Sequence, residues 1–140
     1  MVVGVLIDWT GEFDCWYDRL VECAEAGDGR ALEQLALVEA ELEVLQDLQA
    51  APQWDTPTLK RVAQSQRYPV WRVAHPFVDG TAMRLIVWFP PKRPGEVVIV
   101  LFGADKAQMG DVFYNSVGPR ADAAIESYLF RIRSEGATDE

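Results

Sequence analysis

The residues best suited to chemistry are basic side chains in the second half of the chain, on or beside predicted strands. Arg72 lies between Trp71 and Val73, and Arg84 lies two residues before Ile86. Because side chains on a strand alternate between the faces of a sheet, each arginine can lie on the face opposite its apolar neighbours. Guanidinium groups match phosphate in shape and charge. Two or three of them around one phosphodiester would stabilise a pentacoordinate transition state without a metal.

A site of this kind also needs groups that transfer protons. RNA supplies its own nucleophile, the 2′-hydroxyl, so the protein would have to provide a base, an acid and cations. Lys106 and Tyr114 are the candidates for proton transfer, with His75 as a third. The residue types alone leave a plainer interpretation open. In that interpretation the arginines only keep an exposed sheet face soluble, and Tyr114, next to Phe113, packs in the core.

Other catalytic and metal-binding motifs are missing from the sequence. One histidine and two cysteines are too few for a His/Cys zinc site of the usual kind. The GxxxxGK phosphate loop, the GxGxxG dinucleotide-binding pattern and the GxSxG hydrolase pattern do not occur. Glu39, Glu41 and Glu43 step by two residues along a predicted helix, so we expect them to spread around it as a solvated face. We therefore expect neither a metal nor a cofactor.

Charge is divided unevenly along the chain, whose net charge is −9. Residues 1–57 carry thirteen acidic and two basic residues, a net charge of −11, whereas residues 58–134 carry eleven basic and six acidic residues, a net charge of +5. A protein of net negative charge repels a polyanion and slows the encounter. An RNA partner therefore requires that the basic half presents its charge on one face and that the acidic half lies elsewhere.

Length and composition are those of one globular domain, which we assign to residues 1–134, followed by a polar tail at 135–140. No apolar run reaches the roughly 20 residues that span a bilayer, and the N-terminus lacks the basic region of a signal peptide. Cys15 and Cys23 lie two turns apart on one predicted helix, about 12 Å, which is too far for a disulfide. We expect reduced thiols in the core of a cytoplasmic protein.

Hydrophobic periodicity predicts an α+β fold in the order β-α-α-β-β-β-α. Apolar residues at three- and four-residue steps indicate two helices with a very short link, hence an antiparallel helical hairpin. Short, turn-rich links between the later strands indicate an antiparallel meander. We expect the helices to pack on one face of a small sheet. The predicted elements are an N-terminal strand at 2–8, helices at 12–26 and 28–51, a sheet entry at 59–62, strands at 70–75, 82–89 and 96–102, and a C-terminal helix at 119–133.

Several stretches share their order and spacing with one known family. They are residues 70–73 (VWRV), 83–89 (MRLIVWF) and 98–108 (VIVLFGADKAQ), with an alanine-rich helix after Pro119. Together with the order of elements, they resemble the RelE/ParE-like toxins, especially the phage-related HigB-type (Gp49-like) branch. The resemblance covers roughly residues 13–128, and it implies the RelE-like fold of that family.

The resemblance implies the toxin of a type II toxin–antitoxin pair that cuts messenger RNA on the ribosome without a metal. Its partners would be a cognate antitoxin, the ribosome and messenger RNA, with no membrane and no metal. Arg72 and Arg84 match the family's strand arginines and Lys106 its lysine after the last strand, whereas Tyr114 is a looser match. These four are the predicted catalytic residues. The predicted RNA contacts are Lys60, Arg61, His75 and Arg120.

Two alternatives stay open. ParE-like relatives act on DNA gyrase through protein contact, and the acidic helical hairpin offers a docking surface for a protein. A non-catalytic phage or prophage accessory protein would instead bind a basic host partner by charge complementarity. The chain also departs from the family pattern, because Val70 stands where an acidic residue usually precedes the strand arginine and because the toxins are commonly basic.

Overall fold

Five strands and three helices make up the part of the protein that this computed structural model describes, which is residues 6–48, 52–56, 59–62, 67–74, 83–91, 97–105 and 111–138. The predicted α+β class is confirmed. The strands are β1 (Leu6–Trp9), β2 (Leu59–Arg61), β3 (Trp71–Ala74), β4 (Met83–Trp88) and β5 (Val97–Asp105). The helices are α1 (Gly11–Glu25), α2 (Gly29–Gln46) and α3 (Asp111–Thr138).

Polar caps define the start of both helices in the hairpin. The Thr10 hydroxyl accepts a hydrogen bond from the amide of Phe13 (3.1 Å) and donates one to the carbonyl of Leu101 (2.6 Å), so it starts α1 and ties it to β5. Gly27, with φ of +96°, adopts the left-handed conformation that follows the end of α1. The Asp28 carboxylate then accepts hydrogen bonds from two amides in the first turn of α2. The two helices pack against each other, as predicted.

The five strands form one mixed sheet in the order β1-β5-β4-β3-β2. Strands β2 to β5 pair antiparallel, which agrees with the predicted meander and adds β2 at its edge. The N-terminal strand β1 pairs with β5 in parallel, a pairing that the sequence did not indicate. β5 also continues through Gly103 to Asp105, beyond the predicted end at residue 102.

Helices cover both faces of the sheet, so the expectation that they pack on one face is wrong. The hairpin packs on the face that presents Leu85 and Val87, whereas α3 packs on the face that presents Ile86 and Trp88. Five of the six residues of β4 are buried. A strand buried on both faces has a nearly continuous apolar run instead of an alternating pattern. Apolar residues on the second face require a cover, and α3 supplies it.

The C-terminal helix is longer than predicted. α3 begins at Asp111, eight residues before Pro119, and continues to Thr138. The predicted helix begins at Pro119, whereas in the structure this proline lies within the helix. The polar tail assigned to residues 135–140 is helical through Thr138. The described helices include none that is both long and apolar enough to cross a membrane.

Both cysteines lie on α1 with exposed, unpaired thiols. The expectation that they are core residues is therefore wrong. Leu20 and Ala24 occupy the buried positions of this helix instead.

Gly103 in β5 marks a close approach of α1 to the sheet. A Cβ at this position would lie 2.8 Å from Cδ2 of Leu85 and 3.0 Å from the ring of Trp16. Leu85 is fully buried and cannot move aside freely. Gly103→Ala should therefore lower the free energy of unfolding by about 1–3 kcal/mol, measured by urea denaturation.

Gly29→Ala is the matched control, because nothing lies within 4 Å of a Cβ at this first residue of α2. We expect this variant to be as stable as the wild type or slightly more stable, since alanine favours helix over glycine by about 1 kcal/mol. Equal stability of the Gly103→Ala variant and the wild type would contradict the tight contact.

Candidate functional site

Lys60 and Arg72 are direct cross-strand partners at the β2 side of the sheet. The register pairs Lys60 with Arg72, Arg72 with Ile86, and Ile86 with Phe102, so these four residues form one row across four strands. Ile86 and Phe102 belong to the core under α3, so the row lies on the α3 face. Cβ atoms of directly opposite residues are about 4.5–5.5 Å apart. The fold therefore brings two predicted phosphate-binding residues together.

Arg84 lies on the same face, one step from this row. It pairs with Ala74 on one side and Ala104 on the other, and it precedes Ile86 by two residues along β4. The register shift between β4 and β5 comes after Ile86, so it does not change the face of Arg84. Arg72 and Arg84 are diagonal neighbours, with a typical separation of about 7–8 Å. We call Lys60, Arg72 and Arg84 the cationic face.

The guanidinium of Arg84 lies against its own strand. Nη1 donates a hydrogen bond to the carbonyl of Met83 (2.8 Å). Nε is buried, and no atom of the described residues accepts a hydrogen bond from it. The side chain as a whole is half-buried. It is therefore held close to the sheet by its local contacts, with part of its hydrogen-bonding capacity unused.

Arg120, a predicted RNA contact, lies at the far end of the row in an ion pair. Its guanidinium is stacked over the ring of Phe102, 4.0 Å from the centroid. Its Nε donates to Oε2 of Glu12 (2.9 Å), and Nη2 contacts the same oxygen. Both side chains are about 40% exposed (38% and 42%). An incoming phosphate would therefore have to displace the Glu12 carboxylate.

The remaining predicted site residues are Arg61, His75, Lys106 and Tyr114, and the structure does not place any of them on the cationic face. Arg61 pairs with Trp71 and so lies on the hairpin face, while its amide donates to Oδ1 of Asp55 (2.8 Å). His75 and Lys106 lie outside the described residues. The backbone of Tyr114 belongs to the first turns of α3, and the structure does not describe its side chain.

Arg67 shows that part of the positive charge has a structural role. Its guanidinium pairs with Glu126 on α3, and its amide donates to the carboxylate of Asp122 (3.2 Å). These contacts join the segment before β3 to α3. Part of the positive charge in the basic half of the chain therefore connects the protein's own elements.

Glu41 on α2 is fully buried, which contradicts its predicted place on a solvated face. Its Oε1 accepts a hydrogen bond from the amide of Leu85 (3.3 Å), next to Arg84 in the chain. Its Oε2 is buried with no partner among the described residues. The sequence carried a signal for this burial, because Glu41 falls between Val38 and Leu45 on the apolar stripe of α2.

Burial raises the pKa of Glu41 to about 8, although the Leu85 hydrogen bond and the charge of Arg84 act in the opposite direction. The carboxyl is therefore largely protonated at neutral pH in the folded protein. No other carboxyl group joins it in a metal site, since no cluster of three or more potential metal ligands occurs in the described part of the chain. The basic side chains of the cationic face are chemically suited to bind an anion.

The raised pKa predicts that Glu41 makes stability depend on pH. An ordinary glutamate has a pKa of 4.5 when the chain is unfolded, so folding takes up a proton between about pH 4.5 and 8. The stability contributed by the protonated group is complete below pH 4.5 and is lost as pH rises through 8. The loss is on the order of 5 kcal/mol. Urea denaturation of the wild type and of Glu41→Gln between pH 4 and 9 measures it.

We expect the difference between these two proteins to grow in favour of Glu41→Gln across that window, because glutamine cannot ionise. Glu43→Gln is the control, since Glu43 is exposed on the same helix and its replacement should leave the wild-type pH dependence intact. A difference between Glu41→Gln and wild type that stays constant from pH 4 to 9 would show that Glu41 does not titrate as described.

Comparison of the chain with protein-family models, with curated proteins and with solved structures found no match in any of the three.

Proposed function

We propose that the cationic face binds the phosphate backbone of RNA and that the protein is a RelE/HigB-like toxin, a metal-independent endonuclease of messenger RNA on the ribosome. The observation that carries the proposal is the direct pairing of Lys60 with Arg72, with Arg84 diagonal to Arg72 on the same face. Lys60 and Arg72 would hold a phosphate, and Arg84 would stabilise the charge that develops on the phosphodiester. Lys106 and Tyr114 remain the proposed proton-transfer residues, and a cognate antitoxin remains the proposed partner.

The distribution of acidic residues supports this assignment despite the net charge of −9. Helices α1 and α2 cover the opposite face of the sheet from Lys60 and Arg72. Their exposed carboxylates include Asp14, Asp18 and Glu22 on α1 and Glu39 and Glu43 on α2. The sheet therefore stands between most of the negative charge and the proposed RNA surface, which limits the repulsion that net charge would otherwise cause.

Binding to a single-stranded RNA tests the surface. Lys60→Ala should weaken binding roughly fivefold, about 1 kcal/mol, and reduce the slope of log K against log salt by about 1, because one phosphate contact is lost. Arg61→Ala is the matched control, since it removes an adjacent cation of β2 from the opposite face. Equal effects of the two variants would contradict a surface on the α3 face.

Growth inhibition on induced expression, with mapping of messenger RNA 5′ ends, tests the reaction. We expect codon-phased cuts with the wild type and with Arg61→Ala, and none with Arg84→Ala. Arg72→Lys keeps the charge but loses the planar fork, so it should retain most RNA binding and lose most cleavage. Circular dichroism of each variant confirms folding. Cuts that persist in Arg84→Ala would exclude the proposed role of the cationic face in cleavage.

A second candidate function is docking of a protein on the acidic hairpin without catalysis. The observation that favours it is the exposure of Glu33, Glu39 and Glu43 on α2, which together form a negative surface. If the double replacement Glu39→Lys and Glu43→Lys abolishes growth inhibition while Arg84→Ala does not, docking replaces RNA cleavage as the function.

A further inference from the structure

We propose that a pocket between the C-terminal half of α3 and the ends of β4 and β5 binds a small organic anion with an apolar body, such as an aromatic carboxylate. The pocket has a volume of about 540 Å³. This volume falls within the roughly 300–1,000 Å³ of small-molecule sites in proteins. We call it the α3 pocket.

The floor of the α3 pocket is a buried apolar surface supplied by the sheet. Trp88, Val97 and Ile99 form it, and they are 4%, 4% and 1% exposed. Trp88 is fixed by an edge-to-face contact with Tyr68, at 5.7 Å between ring centroids. Because these side chains belong to the packed core, the floor exists before any ligand binds. A preformed apolar surface favours a ligand with an aromatic or aliphatic body.

The walls of the pocket come from two different parts of the chain. Leu129 and Ile132 of α3 form one wall, and Tyr68 with the Pro90–Pro91 pair forms the other. Prolines and aromatic rings have few conformations to lose, so their ordering on binding costs little entropy. The walls are thus also suited to hold a rigid apolar group.

Charge at the rim decides which apolar ligand fits. Arg133 is the single charged side chain among the described residues that line the pocket, and it is exposed. Its Nε donates to the carbonyl of Leu129 (3.4 Å), which holds the guanidinium near the helix. A carboxylate at the mouth of the pocket can accept hydrogen bonds from such a group while the apolar body contacts the floor. A neutral apolar molecule would lack that contact.

The α3 pocket and the cationic face share no residue. Trp88 lies four residues beyond Arg84 along β4, about 13 Å at 3.3 Å per residue, whereas Arg72, opposite Ile86, is a diagonal neighbour of Trp88 at about 7–8 Å. The variants that locate the ligand therefore change Ile132 and Arg133 of α3, which are not part of the cationic face, and the pocket does not depend on the proposed function.

Titration with 2-naphthoate, followed by the ¹⁵N–¹H resonance of the Trp88 indole, tests the pocket. We expect saturable binding that shifts this resonance, which is assigned by its loss in Trp88→Phe. The neutral analogue 2-naphthamide should bind at least threefold more weakly. Absence of saturable 2-naphthoate binding, or equal affinity for the neutral amide, would overturn the proposed ligand class.

Two pairs of variants locate the ligand. Ile132→Trp fills the pocket from its partly exposed wall and should weaken 2-naphthoate binding at least tenfold, whereas Phe130→Trp adds the same side chain at a 73% exposed position outside the pocket and should have no effect. Arg133→Gln should weaken binding threefold or more, and Arg131→Gln, with the same change in net charge, should not. Wild-type affinity in Ile132→Trp would place the ligand elsewhere and overturn the proposal.

Discussion

Burial of β4 and β5 on both faces is the constraint on which the rest of the structure depends. The hairpin removes one face from water and α3 removes the other, and this apolar burial is the main driving force for folding. A shift of one residue in strand pairing would move side chains into the wrong one of two differently shaped cores. The register is therefore strongly specified, and it is this register that places Arg72 beside Lys60 and on the same face as Arg84.

The basic residues of the chain lie in different electrostatic surroundings. Arg67 and Arg120 each pair with a carboxylate from a distant part of the chain, and such half-exposed pairs contribute at most about 1 kcal/mol. Lys60 and Arg72 place like charges directly across two strands, an arrangement that destabilises a sheet where no anion lies nearby. Any anion that approaches this pair offsets the repulsion, whether it is a carboxylate of the chain itself or the phosphate of a ligand.

Local patterns predicted the hairpin and the meander because capping residues, turns and apolar spacing act over a few residues. Alternation along β3 and along β4 places each arginine opposite its apolar neighbours, but that the two share one face follows from the register between the strands, which the sequence alone does not give. The predicted arrangement leaves the second sheet face open, whereas α3 covers it. The runs LIVWF and VVIVLF are typical of strands buried on both sides. The pair formed by Glu12 and Arg120 spans 108 residues and has no local signal. The two-residue spacing of Glu41 from Glu39 and Glu43 predicts a solvated face, but Glu41 is also in phase with the apolar stripe of α2, and the structure follows the stripe.

The position of α3 explains why the sheet face that it covers is basic in one part and apolar in another. If α3 lay with the hairpin, Ile86, Leu101 and Phe102 would face water, which is unfavourable for so large an apolar surface. With α3 over β5, the basic residues of the cationic face lie on β2, β3 and the start of β4. On the same face of the sheet, Asp8 of β1 lies opposite Ile99 and accepts a hydrogen bond from the Tyr128 hydroxyl of α3, and the apolar pocket forms at the far end of β4. An anionic partner of the cationic face would therefore approach from the β2 edge and not across a fully open sheet. If that partner is RNA, as proposed, this geometry would favour recognition of phosphates by shape and charge over reading of bases, since the cationic face consists of guanidinium and ammonium groups.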